Sequence, residues 1–263
     1  MTTFPDWMKI PFPQIKGDDG RIAFQFRNYF HSLQRYEDQF RHSVQLFEFS
    51  RGQSSAALQS IRIAGPRTPD DVSAQMEQRR NAMATLDMLR DWEFTAARDA
   101  VFSVYHFVEA TKTLNDEMRK LPETSTPEIR KRLSNAHRIR DKHFSQIVGV
   151  RNSAAHLAEM ERPKKQKEHA IKSSLGRTGL PAGTVYQGNL EGSEYVTGYF
   201  GELVRCDISA ATISKIVECR MAFYSVFGPL TEDPFFGRSR TRPRHASDQT
   251  DRPTSSEDTP DHQ

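Results

Sequence analysis

Cysteine is nearly absent from this chain. Cys206 and Cys219 are the only two, thirteen positions apart. That spacing fits neither a disulfide framework nor the paired knuckles of a zinc site, and the scarcity fits a reducing compartment. Long apolar runs are missing as well. Nothing approaches the roughly 20 residues that a membrane-spanning helix requires, and the opening stretch MTTFPDWMKIPFPQIKG has neither the basic n-region nor the apolar h-region of a secretory signal. The expectation is a cytoplasmic protein with no membrane contact. Hydrophobic residues make up only 36% of the chain and its mean hydropathy is −0.70, so the core is modest. Its 263 residues suffice for one sizeable domain or a domain with an appendage.

Several catalytic signatures are also lacking. No strand–GxxxxGK–helix order surrounds Gly176 and Gly179, no GxSxG elbow presents a serine, and neither cysteine has a histidine beside it in sequence. His137, His143, His156 and His169 are separated by six, thirteen and thirteen residues. None of these gaps aims two imidazoles at one ion. No metal and no cofactor are expected, and there is no internal repeat.

What the chain does have is apolar residues at helical period. Ile22, Phe26, Tyr29, Phe30, Leu33, Tyr36, Phe40, Val44 and Phe47 recur at three- and four-residue steps. A long amphipathic helix is expected from Asp19, capped by Asp18 or Asp19 and ended by Arg51-Gly52. Its aromatic stripe reads as a core or helix–helix face. Residues 1–17, with three prolines and the aromatics Phe4 and Trp7, read as an extended arm, so that 1–66 forms an arm and a helix packed on the remainder. After the Gly65-Pro66 break, Thr68-Pro69-Asp70-Asp71 opens a helix with proline and acids in its first turn, burying Val72, Met76, Met83, Leu86 and Leu89. A further helix over about 92–120 should bury Trp92, Ala96, Ala100, Phe107, Ala110, Leu114 and Met118, and Leu121-Pro122 stops it.

Ser125-Thr126-Pro127-Glu128 repeats the cap-plus-proline pattern and opens a helix over about 129–136. The segment over about 141–160 should bury Phe144, Ile147, Val148 and Leu157, with Pro163 closing it before a basic turn at 164–167. The period then changes. Residues 184–187 and 195–200, rich in β-branched and aromatic side chains around an Asn189-Leu190-Glu191 turn, read as a β-hairpin at about 183–200. Asp207-Ile208-Ser209 caps a last helix to about Phe227, with Ile213, Ile216, Val217, Met221, Tyr224 and Phe227 inward. Residues 238–263 are almost without apolar side chains and are expected to be disordered. The fold class is mainly α: an up-and-down helical bundle over about 67–230, with a small β-hairpin insert and a disordered C-terminal tail.

Charge is unevenly placed. Residues 119–172 hold fourteen Lys/Arg against six Asp/Glu, about +8, which leaves the remainder near −5. Such a field attracts polyanions, and Arg138, Arg140, Lys142, Lys164 and Lys165 are the expected RNA contacts. Inside this segment lies GVRNSAAHLAE, residues 149–159. On a helix Asn152 and His156 share a face, and Arg151 lies about 140° around the axis from His156. The small residues at 153–155 would let a second helix or a phosphate backbone come close. A histidine that titrates near neutrality can manage protons at a 2′-hydroxyl and a leaving oxygen. An arginine can stabilise the charge growing on phosphorus. Together they suffice for RNA cleavage without a metal.

RNSAAH at 151–156 resembles the R-x4–6-H motif of the HEPN superfamily, with Asn152 where members often carry a polar residue directly after the arginine. The resemblance covers about residues 70–228 and includes the order of the preceding helical segments (70–89, 92–120 and 127–139). It implies an up-and-down bundle of four to five helices with the motif near the start of a late, core-forming helix. It also implies a homodimer in which two motifs face each other across a composite cleft. The implied activity is that of a metal-independent endoribonuclease leaving 2′,3′-cyclic phosphate and 5′-hydroxyl ends. Arg151 and His156 would be catalytic and Asn152 would orient them; Asp99, His106 or Glu109 would add a polar group from an earlier helix. The implied setting is a toxin or phage-defence system with an antitoxin or regulatory partner. Some HEPN-like bundles have become non-catalytic dimeric interaction or RNA-binding modules, which is the alternative reading. The helix over 19–50 has no certain counterpart in the minimal bundle.

Overall fold

Two long helices set the frame. The structure, a computed structural model, describes residues 21–62, 69–120, 126–155, 162–172, 182–185 and 188–226. Helix α1 (Arg21–Arg62) and helix α2 (Pro69–Met118) are followed by α3 (Pro127–Phe144), α4 (Ile147–Ala155) and α5 (Pro163–His169). Strands β1 (Asn189–Glu191), β2 (Glu194–Tyr199) and β3 (Glu202–Asp207) precede the last helix, α6 (Ala210–Val226). The chain is mainly helical, with a small antiparallel sheet in the order β1-β2-β3. None of the described helices is long and apolar enough to cross a membrane.

Neighbouring long helices run antiparallel. Tyr36 of α1 stacks on His106 of α2 with ring centroids 5.5 Å apart, while Arg51, further along α1, acts on Glu93, earlier in α2. Across α3 and α6, Arg132 Nη1 donates to the Ser225 carbonyl at 2.9 Å and His143 Nε2 meets Glu218 at 2.8 Å. One core joins all of these elements. Phe30, Leu33, Phe40, Val44 and Phe47 from α1 pack with Ala96, Ala100, Phe107 and Leu114 from α2, and with Ile216, Cys219 and Phe223 from α6. The aromatic stripe of α1 is therefore core, as its period indicates.

Several helix boundaries differ from the sequence expectation, each for a physical reason. Helix α1 continues through Arg51-Gly52 to Arg62; the glycine faces open space, and its propensity cost of about 1 kcal/mol is outweighed by continued packing, with Ser50 and Ser54 buried around it. Helix α2 is one helix through 89–92, because no glycine or proline interrupts it after Pro69. Its inner seam runs through Gln75, Ala82, Leu86 and Leu89. Met76, Met83, Val72 and Trp92 fall beside that seam and are exposed, Trp92 at 44%, since contact with a single neighbouring helix uses a narrow stripe.

Helix α3 runs on to Phe144, with Ile129, Leu133, Ala136, Arg140 and Phe144 inward. Thr126 caps it, accepting from the Ile129 N–H at 3.3 Å, with Pro127 in the first turn. Only the Ser145-Gln146 turn separates α3 from α4. In α4 the inward pair is Ile147 and Val150, whereas Val148 points outward. Pro163 starts α5, as its fixed φ suits a first helical position, so the basic stretch 164–167 is helical and not a turn. Residues 156–161 before it lie outside the described residues. The expected β element is present with a third strand: Asn189–Glu191 is a strand paired with β2, not a turn, and β2 pairs again with β3. In α6 the buried face is Thr212, Ile216, Cys219, Phe223, Tyr224 and Val226, which turns Met221 out to 53% exposure. The N-terminal arm, the side chains of Ile22 and Phe26, Gly65-Pro66, Leu121-Pro122, Leu157, Phe227 and the tail 238–263 lie outside the described residues.

Glu37 ties α1 to α6. Its side chain is 2% exposed and accepts from Arg220 Nε at 2.6 Å and Arg41 Nη2 at 2.7 Å. Replacing Glu37 with alanine leaves a desolvated guanidinium without its counter-charge, a loss of about 3–5 kcal/mol. Urea denaturation should report it, and Glu37→Leu/Arg220→Leu together should recover part of the loss.

His137 supplies a second, pH-dependent contribution. Its ring packs edge-on against Phe223 of α6 at 5.2 Å. Burial pushes its pKa down to about 4, helped by Arg140 and Arg119 against the opposing pull of Asp141 and Asp116. The unfolded imidazole takes up its proton near pH 6.5 while the folded one does not. Stability is therefore full above about pH 6.5 and falls as the pH drops toward 4. Urea midpoints measured at pH 7.5 and pH 5 should differ, and His137→Phe should shrink the difference.

Candidate functional site

The motif helix α4 is built to be approached closely. Isoleucine, valine, glycine and alanine dominate its nine residues, and it lies between α2 and the sheet. Ser153, fully buried, shares a 2.5 Å hydrogen bond with Thr197 Oγ1 and donates to the Gly198 carbonyl at 3.2 Å. Ala154 is also fully buried, and its carbonyl accepts from Arg98 Nη2 of α2 at 3.4 Å. The small residues of the motif thus admit the protein's own sheet and α2. A Cβ on Gly149 would sit 2.9 Å from Cδ1 of Tyr199, so this glycine is the space into which the Tyr199 ring fits.

Arg151 lies in the middle of α4 and is half-buried. Its guanidinium rests over the Tyr105 ring of α2 at 4.9 Å, with the Phe102 ring 6.0 Å away. Nη1 donates to Asn152 Oδ1 at 3.1 Å, and Asn152 Nδ2 donates to the Tyr199 hydroxyl at 3.2 Å. A chain Arg151–Asn152–Tyr199 therefore connects α4 to the end of β2. The rings hold the cation by their quadrupoles, and the amide fixes its rotation. His156 lies outside the described residues, so the structure describes only the arginine half of the motif.

Among the residues that could complete the site from an earlier helix, His106 is exposed and joins the same aromatic face. It stacks on Tyr36, meets Tyr105 edge-on at 5.5 Å, and lies 6.5 Å from Phe102. Both of the rings that hold Arg151 thus also flank His106. Glu109 is paired with Lys112 at 2.6 Å, and Asp99 is exposed one turn before Phe102.

The expected RNA contacts separate into outward and inward residues. Arg138, Lys142 and Lys164 are exposed, Arg138 with a bond to Asn135 Oδ1 at 2.9 Å, and Lys165 is half-buried. Arg140 is turned inward, donating to Thr111 Oγ1 at 3.2 Å and pairing with Asp141 at 2.7 Å. It occupies one of the inward steps of α3, so it acts as a tie between α3 and α2. Among the described residues, no group of three or more His, Cys, Asp or Glu is placed to share a metal ion. Cys206 and Cys219 are both buried, and burial pushes each thiol up to about 12.

Tyr199, Tyr105 and Phe102 are the parts of this site that sequence reasoning passed over. Their signals were present: a glycine inside a helix marks a close approach, and Phe102 and Tyr105 sit three apart on one face of α2. Comparison with protein-family models, with curated proteins and with solved structures gives no match for this chain.

Gly149→Ala should destabilise the protein by about 1–3 kcal/mol, the cost of overpacking, by driving the Tyr199 ring off α4. Pairing it with Tyr199→Ala should make the two effects less than additive in thermal melts. Additivity would mean that the ring and the glycine are not coupled.

Proposed function

We propose that this protein is a metal-independent endoribonuclease of the HEPN type. The observation that carries the reading is the fixing of Arg151, half-exposed at the centre of α4, by Asn152 and by two rings of α2. An arginine so held is a preorganised cation. It needs no rearrangement to meet charge developing on a phosphate. The exposed cations of the basic segment 119–172, Arg138, Lys142 and Lys164 among them, draw RNA to it.

In the reaction the 2′-oxygen attacks the adjacent phosphorus and the P–O5′ bond breaks. The imidazole of His156 takes the 2′-hydroxyl proton, and an imidazolium returns a proton to the leaving 5′-oxygen. The products are a 2′,3′-cyclic phosphate and a 5′-hydroxyl. Two copies of the chain supply two such imidazoles in the homodimer, and His106, on the same aromatic face as Arg151, adds a polar group from the earlier helix. The setting consistent with this activity is a cytoplasmic toxin or defence component restrained by an antitoxin or regulatory protein.

Purified protein incubated with total RNA in EDTA should yield 2′,3′-cyclic ends. His156→Ala should lower the rate at least 100-fold, the lower bound for losing a positioned acid–base group. Arg151→Ala should lower it about 100-fold, the scale for losing one preorganised group that stabilises developing charge. Equal RNA integrity in wild type and variants sinks the catalytic reading, and strictly monomeric sedimentation at micromolar concentration sinks the composite cleft. One observation favours the alternative, a non-catalytic dimeric interaction or RNA-binding module: the guanidinium of Arg151 already has protein partners. On that reading RNA is retained by the protein but left intact.

A further inference from the structure

The β2–β3 turn breaks the rule that normally governs such turns. Tyr199 pairs with Glu202, so Phe200-Gly201 is a two-residue hairpin loop, and both residues have positive φ, 47° and 91°. A loop of this kind takes Asn, Asp or Gly at its first position. Phenylalanine there is strained, and Phe200 is the only described non-glycine residue with positive φ. Its ring gains little burial in return, being 53% exposed. Strain at a residue left half exposed points to function.

The turn is held in place from several sides. The Phe200 N–H donates to Nδ1 of the buried His169 at 3.3 Å, and the two rings lie 4.9 Å apart with a 32° tilt. The Tyr199 ring meets Phe200 edge-on at 4.6 Å, and the Tyr199 hydroxyl is the anchor of the Asn152–Arg151 chain. Lys172 lies alongside: its N–H donates to the Gly201 carbonyl at 3.1 Å, and its side chain passes against Gly201. His169 ends α5, whose Lys164 and Lys167 are exposed. A half-exposed aromatic ring on a fixed turn thus stands beside Lys172 and the end of the basic helix α5, linked through one tyrosine to Arg151.

We propose that Phe200 is a stacking platform for an unpaired base of RNA bound beside Arg151. The inference rests on the ribonuclease reading above. A flat ring offers any base a π-face, while Lys172, Arg151 and the α5 lysines hold the backbone on either side. A duplex keeps its bases stacked and paired, so none is free to lie on the ring.

The test uses full-length His156→Ala protein, which leaves the probe intact, and a fluorescein-labelled 12-nucleotide RNA read by anisotropy, single-stranded or annealed. The single strand should bind more tightly than the duplex. Phe200→Ala should weaken single-strand binding about tenfold, the loss of one stacking contact, and Phe200→Trp should retain it. Phe200→Gly separates binding from folding: it relieves the positive φ, so its melting temperature should equal or exceed that of the parent while binding falls. If the parent binds and the Ala and Gly variants bind equally well, the stacking assignment is wrong and the ribonuclease reading is untouched. If the parent binds with the expected losses while wild type leaves RNA uncut, only the catalytic step fails. If the parent binds neither form, both fail.

Discussion

Where α4 meets β2, the hydroxyls of Ser153 and Thr197 share a hydrogen bond with both residues wholly out of solvent. The rest of the site depends on that contact. Burying two hydroxyls is tolerable only when each satisfies the other, so the pair fixes how far α4 slides along the strand. With that distance set, Gly149 lies under the Tyr199 ring and Asn152 comes within reach of its hydroxyl. Arg151, the next residue in the chain of bonds, is then turned toward the rings of α2. A short helix that could not persist alone in water becomes a rigid support because both of its flanks are occupied.

Charge is divided between two uses in the same segment. Arg140 and Arg132 are spent on tying α3 to α2 and α6, so the +8 of the sequence overstates the field presented outside. Exposed residues such as Lys142 and Lys164 carry what remains. Net charge alone could not distinguish the two uses, since an arginine at an inward helical step and one a third of a turn away contribute equally to a count.

Legibility followed the strength of the period. The α1 stripe and most inward residues of the second half of α2 could be read because each recurs at three or four residues against a wide core. Helix α3 showed only its start, and its inward Arg140 read as an RNA contact. The stripe beginning at Val72 misled because a helix that meets one partner needs only a narrow seam, and Gln75 and Ala82 make a poor apolar signal for it. Boundaries misled where a lone glycine (Gly52) or a polar turn without glycine or proline (Ser145-Gln146) had to be weighed against tertiary packing that sequence does not display. The third strand escaped notice because Glu202–Asp207 is short and carries a charged residue at each end. At the site, the arginine–asparagine pair was legible as chemistry, but its partners were not: Tyr105 and Tyr199 lie 46 and 48 positions from Arg151, distances only folding can close.

The two buried thiols have a practical meaning of their own. With burial pushing both up to about 12, neither forms appreciable thiolate near neutral pH, and thiolate is the form that alkylating reagents attack. The native chain is therefore chemically silent toward such reagents, and a single cysteine placed anywhere on its surface would be the one reactive handle. Fluorophores or spin labels could be set on the Phe200 turn or along the exposed half of α2 without first removing a natural residue from the core.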